Sequence, residues 1–185
     1  MCGIAGLIHR GKSSNVGEEL QNMLQALKHR GPDSTGYALY ANNDGQNFIL
    51  RFKVGENVGE GSTSVNEDES VYNERKKIVD KKLSELGALT VKEDKLTPYS
   101  YRYEIKFDKD LMEFSKAIES VEMVEILSIG KSLELIKDLG DARTVSKRYG
   151  LNKVKGTHGI GHARMATESG VDIKSAHPFW GYPFA

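Results

Sequence analysis

The chain has 185 residues, enough for one ordinary core or one core with a small inserted lobe, and too few for two full domains. Lys plus Arg and Asp plus Glu are equal at 26 each, and neither half holds a long block of one sign, which argues against nucleic acid and anionic membrane as partners. A single cysteine excludes an internal disulfide and a Cys-rich metal site, and residues 4–8 are an apolar stretch too short to span a membrane, so a cytoplasmic protein is expected.

In chain order, "CGIAGLI" at residues 2–8 is β-prone and mostly apolar, and predicts a buried strand that begins at the terminus. "GEELQNMLQALKH" sets Leu20, Met23, Leu24 and Leu27 at helical spacing on one face, and "RGPDSTG" stops that helix. "YALYANNDGQNFILRFK" holds two β-prone runs around a turn at residues 42–45, which predicts a hairpin. From Gly55 the character changes: "GENVGEGSTSVNEDES" is glycine-rich and acidic and predicts a loop or linker.

"ERKKIVDKKLSEL" then predicts a charged helix, and "YSYRYEIKF" alternates strictly, with Tyr99, Tyr101, Tyr103, Ile105 and Phe107 on one side of a half-buried strand. "DKDLMEFSKAIESV" predicts a helix with Asp108 as its N-cap. "VEMVEILSI" predicts a strand, and "SLELIKDL" and "ARTVSKRYG" predict short helices. Residues 55–155 together read as a small α+β lobe inserted between 1–54 and 156–185, the last stretch returning to glycine-punctuated strands.

The chemistry starts at Cys2. Removal of Met1 would leave a free α-amine on the thiol residue itself, with a pKa of roughly 7.7 to 8, able to take the thiol proton directly or through one water. Nucleophile and base would then come from one residue.

Four motifs, "MCGIAG", "HRGPDSTG" at 29–36, "GIGHARMATES" at 159–169 and "SAHPF" at 175–179, resemble in that order those of the class II glutamine amidotransferases. The resemblance implies an N-terminal nucleophile hydrolase of αββα sandwich fold that hydrolyses glutamine to glutamate and ammonia and passes the ammonia to a synthase partner, with no cofactor and no metal. "HRGPDSTGYALY", "SAHPFWGYPF" and the long insertion are most similar to the amidotransferase subunit of archaeal-type glutamate synthases and methylglutamate synthases.

By the same resemblance Arg164 of "GHARMAT" binds the substrate α-carboxylate, for which a guanidinium supplies paired hydrogen bonds, and Thr167 assists it. Arg30 precedes the sharp Gly31-Pro32 turn; it either serves the dipole at the helix C-terminus or, by resemblance, orders the pocket beside the nucleophile. Asp33 shapes that turn. His177 lines the pocket and is not the general base, and "HPFWGYPF" reads as core and lid packing. His158 and His162 stand four apart, but their glycine neighbours favour a strand over a helical metal pair.

The family's Asn-Gly pair, which supplies the oxyanion donors, follows the "HPF" motif, and this sequence contains no Asn-Gly. The expectation is a chain that is truncated at its C-terminus or completed by another chain, inactive alone, with a degenerate gene as the less favoured explanation. Two other readings stand beside the glutaminase: a non-catalytic regulatory or scaffold module of the same fold, and an N-terminal nucleophile hydrolase of another amide, against which Arg164 argues when the substrate lacks a carboxylate.

Overall fold

The computed structural model describes residues 2–43, 45–56, 67–166, 173 and 175–181. Among these the chain forms β1 (Gly3–Ile8), α1 (Val16–Ala26), β2 (Ser34–Ala41), β3 (Phe48–Lys53), α2 (Glu69–Leu86), β4 (Leu89–Thr97), β5 (Ser100–Lys106), α3 (Leu111–Glu119), β6 (Glu125–Gly130), β7 (Leu133–Leu139), α4 (Ala142–Tyr149) and β8 (Gly156–Arg164). It is a mixed α and β fold with two four-stranded antiparallel sheets, ordered β1-β8-β2-β7 and β4-β5-β3-β6. No described helix is long and apolar enough to cross a membrane.

Small residues explain how the first sheet takes its helix. Gly159 and Gly161 of β8 face α1, where a side chain at Gly161 would stand 2.5 Å from Leu24 and one at Gly159 would stand 3.3 Å from Leu20. The helix therefore seats directly on the strand backbone, burying Val16, Leu20 and Leu24 against Tyr37, Leu39 and Ile136. The same alternation turns Ile160, His162 and Arg164 to the opposite face of β8, and Ile4 and Ile8 of β1 are exposed there.

The second sheet grows from the tyrosine alternation. Tyr101, Tyr103 and Ile105 are buried while Arg102, Glu104 and Lys106 point away, and the apolar side joins Phe52, Val79, Leu83, Phe114 and Ile118 in one core. Helix α3 is capped by Asp110, not Asp108: its carboxylate accepts from the backbone N–H groups of Met112 and Glu113. Helix α2 starts at Glu69, its Asp68 cap accepting from Ser70 N, and residues 57–66 of the expected linker lie outside the described residues.

Two further expectations are corrected. Residues 37–53 do contain two strands, but they are not a hairpin: β2 pairs with β7 and β8, and β3 pairs with β5 and β6 of the other sheet. "SLELIKDL" is not a helix but strand β7, every residue of which is buried. A strand covered on both sides loses the polar alternation by which strands are recognised.

Burying β7 also buries charge. Glu134 lies 2.6 Å from Arg51 of β3 and 2.9 Å from Arg102 of β5. Burial pushes the Glu134 carboxyl up, but Arg51 and Arg102 outweigh it and hold the group at about 2. Fully buried Asp138 accepts from Tyr99, Arg148 and Tyr149 at 2.8, 2.6 and 3.0 Å. These ion pairs and hydrogen bonds tie the two sheets and α4 together.

Candidate active site

Pairing between β1 and β8 brings the chain terminus to the end of "GHAR". The register runs from Ile8 opposite His158 to Gly3 opposite Ala163, where the pairing ends, one residue short of Cys2 and of Arg164. The Cys2 thiol is exposed and the Arg164 side chain is buried.

Arg30 ends the one-turn helix Lys28–Arg30, and its Nε donates to the Cys2 carbonyl at 3.3 Å. It is held there by Gly31, which lies so close to β8 that an added Cβ would stand 2.5 Å from the Ala163 carbonyl oxygen and 2.6 Å from the Arg164 carbonyl carbon. Only glycine tolerates that approach. Arg30 thus contacts the backbone of Cys2, not its thiol.

Asp33 does more than shape a turn. Its backbone N–H donates to the Arg164 carbonyl at 3.1 Å, its own carbonyl accepts from Gly140 N at 2.9 Å, and its carboxylate accepts from Ala166 N at 2.7 Å. One residue therefore fixes both ends of the Arg164–Ala166 backbone. Thr167 lies outside the described residues, as do Met1 and Glu168.

His177 comes to the site from the C-terminal segment. Its carbonyl rests on Gly36 of β2, where an added Cβ would be 1.9 Å away, and its ring meets His162 edge to face with centroids 4.9 Å apart. His177, His162, Ile4, Ile160 and Phe179 line a cavity of about 360 Å³, and neither Cys2 nor Arg164 is part of its lining. Burial lowers the His162 imidazole, with His177 and Arg164 adding to the effect, which favours the neutral ring. Its Nδ1 is buried without a hydrogen-bond partner among the described residues. His162 lies within the motif at 159–169 but reads in sequence only as a candidate metal pair with His158; its alternation with Ile160 and Arg164 is the signal for its place on this face.

A larger cavity of about 480 Å³ lies away from these residues, bounded by Tyr72, Thr97, Tyr99 and Arg148. It contains neither thiol nor histidine, so size does not select the site; chemistry does. Among the described residues no three of His, Cys, Asp and Glu converge on a possible metal position.

The close approach at Gly36 gives a direct test of how the wall is held. Gly36→Ala should displace the His177 segment and lower stability by about 2 kcal/mol, the usual scale for overpacking. Urea denaturation measures the loss, and unchanged stability would mean the segment moves aside freely.

Comparison with known proteins places these observations in a context. Residues 1–48 match the family described as the glutamine amidotransferase domain. The chain is 35% identical over 194 residues to a putative glutamine amidotransferase of Methanothermobacter thermautotrophicus, an alignment covering 98% of this chain and 57% of that protein. It is 30% identical over 185 residues to the glutamine amidotransferase-like protein GlxB of Rhizobium meliloti, covering 97% of this chain and 54% of that protein. The chain spans about half the length of the curated relatives it matches. Along nearly its whole length, then, the chain is similar to proteins named for glutamine amidotransfer, and its first 48 residues match that domain.

Proposed function

We propose that the chain carries the glutaminase site of a class II glutamine amidotransferase, with an N-terminal nucleophile hydrolase sandwich as its fold and Cys2 as its nucleophile. The observation that supports this reading is the β1–β8 pairing, whose last step, Gly3 opposite Ala163, leaves Cys2 and the buried Arg164 as the next residue on each chain segment.

In this reading Met1 is removed and the freed α-amine of Cys2 takes the thiol proton. The Cys2 sulfur attacks the carboxamide carbon of glutamine, giving a tetrahedral intermediate. The C–N bond then breaks, the proton passes to the departing nitrogen as ammonia, and a thioester remains on Cys2. Water, deprotonated by the same amine, attacks the thioester and releases glutamate. Arg164 with Thr167 binds the substrate α-carboxylate, Arg30 fixes the Cys2 backbone, and His177 closes the wall.

Donors for the oxyanion are expected from polypeptide beyond these 185 residues, consistent with relatives nearly twice as long. The exposed apolar face of Ile4, Ile8 and Ile160 is where such strands would pack. A synthase is the proposed acceptor of ammonia, with glutamate synthesis its chemistry.

Arg164→Ala tests the substrate assignment. Charge-assisted hydrogen bonds of this kind are worth about 1.5 to 3 kcal/mol, so the concentration of a thiol-trapping glutamine analogue that half-saturates labelling of Cys2 should rise roughly 10- to 100-fold. The rate with iodoacetamide, which has no α-carboxylate to bind, should stay unchanged. Equal losses with both reagents would assign Arg164 to structure rather than to substrate.

A further inference from the structure

The interior holds ions that the proposed reaction does not use, and one of them reaches the pocket. Lys137 stands on β7 opposite Gly36 of β2 and is buried. Its ammonium lies 2.9 Å from Glu125 of β6 and 4.6 Å from the centroid of the Phe179 ring. Glu125 is shared with Lys53 of β3, also at 2.9 Å, and Lys53 contacts Glu56 at 2.6 Å. Burial pushes the Glu125 carboxyl up, and the two lysines more than reverse this, so it remains ionised beneath Lys137.

From Phe179 the contacts continue into the site. Its ring meets His177 edge to face at 4.7 Å, and His177 meets His162 at 4.9 Å. Phe179 is itself 49% exposed and sits outside the regular strands, so burial alone does not fix its ring. An ammonium withdrawn from water and set against the ring does, because attraction to the ring quadrupole strengthens on desolvation.

We propose that Lys137 is a positioning residue of the candidate site: anchored by Glu125 in the second sheet, it holds the Phe179 ring and through it the His177 imidazole as the pocket wall. The geometry stands by itself, and the consequence for catalysis rests on the glutaminase reading above; the two are tested by separate measurements.

The first is the imidazole NMR spectrum of the five histidines in the wild-type chain, Lys137→Met, Lys137→Arg and Phe179→Leu. Lys137→Met and Phe179→Leu should each move the His177 and His162 signals, with His9 and His29 unmoved, and Lys137→Arg, which keeps the cation, should restore them. Glu125 keeps Lys53 as a partner in the methionine variant, so the fold is expected to survive. Signals of His177 and His162 that stay in place in Lys137→Met, or a displacement of all five histidines, would overturn the proposal.

The second is labelling of Cys2 with the glutamine analogue. Lys137→Met should raise the half-saturating concentration about tenfold with no change in the iodoacetamide rate. A wild-type protein that the analogue never labels counts against the glutaminase reading, and the histidine spectra still decide the role of Lys137.

Discussion

Cys2→Ser should lower glutamine turnover by at least about a thousandfold while leaving the melting temperature unchanged. Serine keeps the α-amine but offers a hydroxyl, which a base of pKa near 8 deprotonates far less readily than a thiol, and loss of a nucleophile commonly costs three or more orders of magnitude. The Cys2 side chain is exposed and its carbonyl, not its sulfur, receives Arg30, so the fold has no stake in the thiol. Insertion of one glycine between Met1 and Cys2 should be equally damaging, because the amine is then carried by a different residue. Turnover by the complete assembly and thermal melts of both variants check this. Turnover within tenfold of wild type would put the nucleophile elsewhere.

Glu134→Gln should destabilise the fold by about 3 to 5 kcal/mol, the usual loss when one partner of a buried ion pair is removed and its counter-charge is left behind. Here two guanidinium groups, Arg51 and Arg102, would lose their carboxylate between the sheets. The pH dependence has a definite sign. A carboxyl held at about 2 in the folded state against 4.5 as its ordinary value contributes roughly 3 kcal/mol, fully present above 4.5 and lost as pH falls through 2. The stability gap between wild type and variant should therefore narrow on acidification across that window. Replacing the pair together, Arg51→Met with Glu134→Leu, should cost less than Glu134→Gln alone. Urea denaturation from pH 7 to pH 2.5 measures both effects, and a gap that is constant with pH would remove Glu134 as the group responsible.

Much of the fold is written in local periodicity. The helix carrying Leu20 and Leu24, the alternating tyrosines and the helix carrying Phe114 and Ile118 follow from spacing, whereas the terminal strand, expected to be buried from its apolar composition, forms but leaves Ile4 and Ile8 exposed on one face. What spacing does not carry is the partner of each strand. The turn residues between β2 and β3 suit a hairpin, yet the strands separate into two sheets because β7 and β8 pair with β2, and those strands come from much later in the chain, with Ser34 opposite both Leu139 and Arg164. For β7 itself, Leu133 and Ile136 are three apart and imitate a helix, while Glu134, Lys137 and Asp138 look like solvent-facing charge. Their partners, such as Arg51 at a separation of 83 residues, become visible only when the sheets meet.

The site divides in the same way. Cys2, Arg30, Arg164 and His177 are legible because the motifs around them resemble a known family, whereas the contacts that hold them depend on tertiary pairing. Gly31 looks like a turn residue and is in fact the point where Arg30 closes on β8. Asp33 also looks like a turn residue, and its carboxylate holds Ala166, which lies 133 positions away. Lys137 lies in the segment expected to be a short helix and is instead a buried cation on β7 against the Phe179 ring.

The most direct test is the intact mass of the purified protein, alone and with the further polypeptide proposed to supply the oxyanion donors, before and after a thiol-trapping glutamine analogue. The account predicts loss of Met1 and a single label on Cys2, blocked by excess glutamine. Retained Met1 with no label in the complete assembly would contradict it.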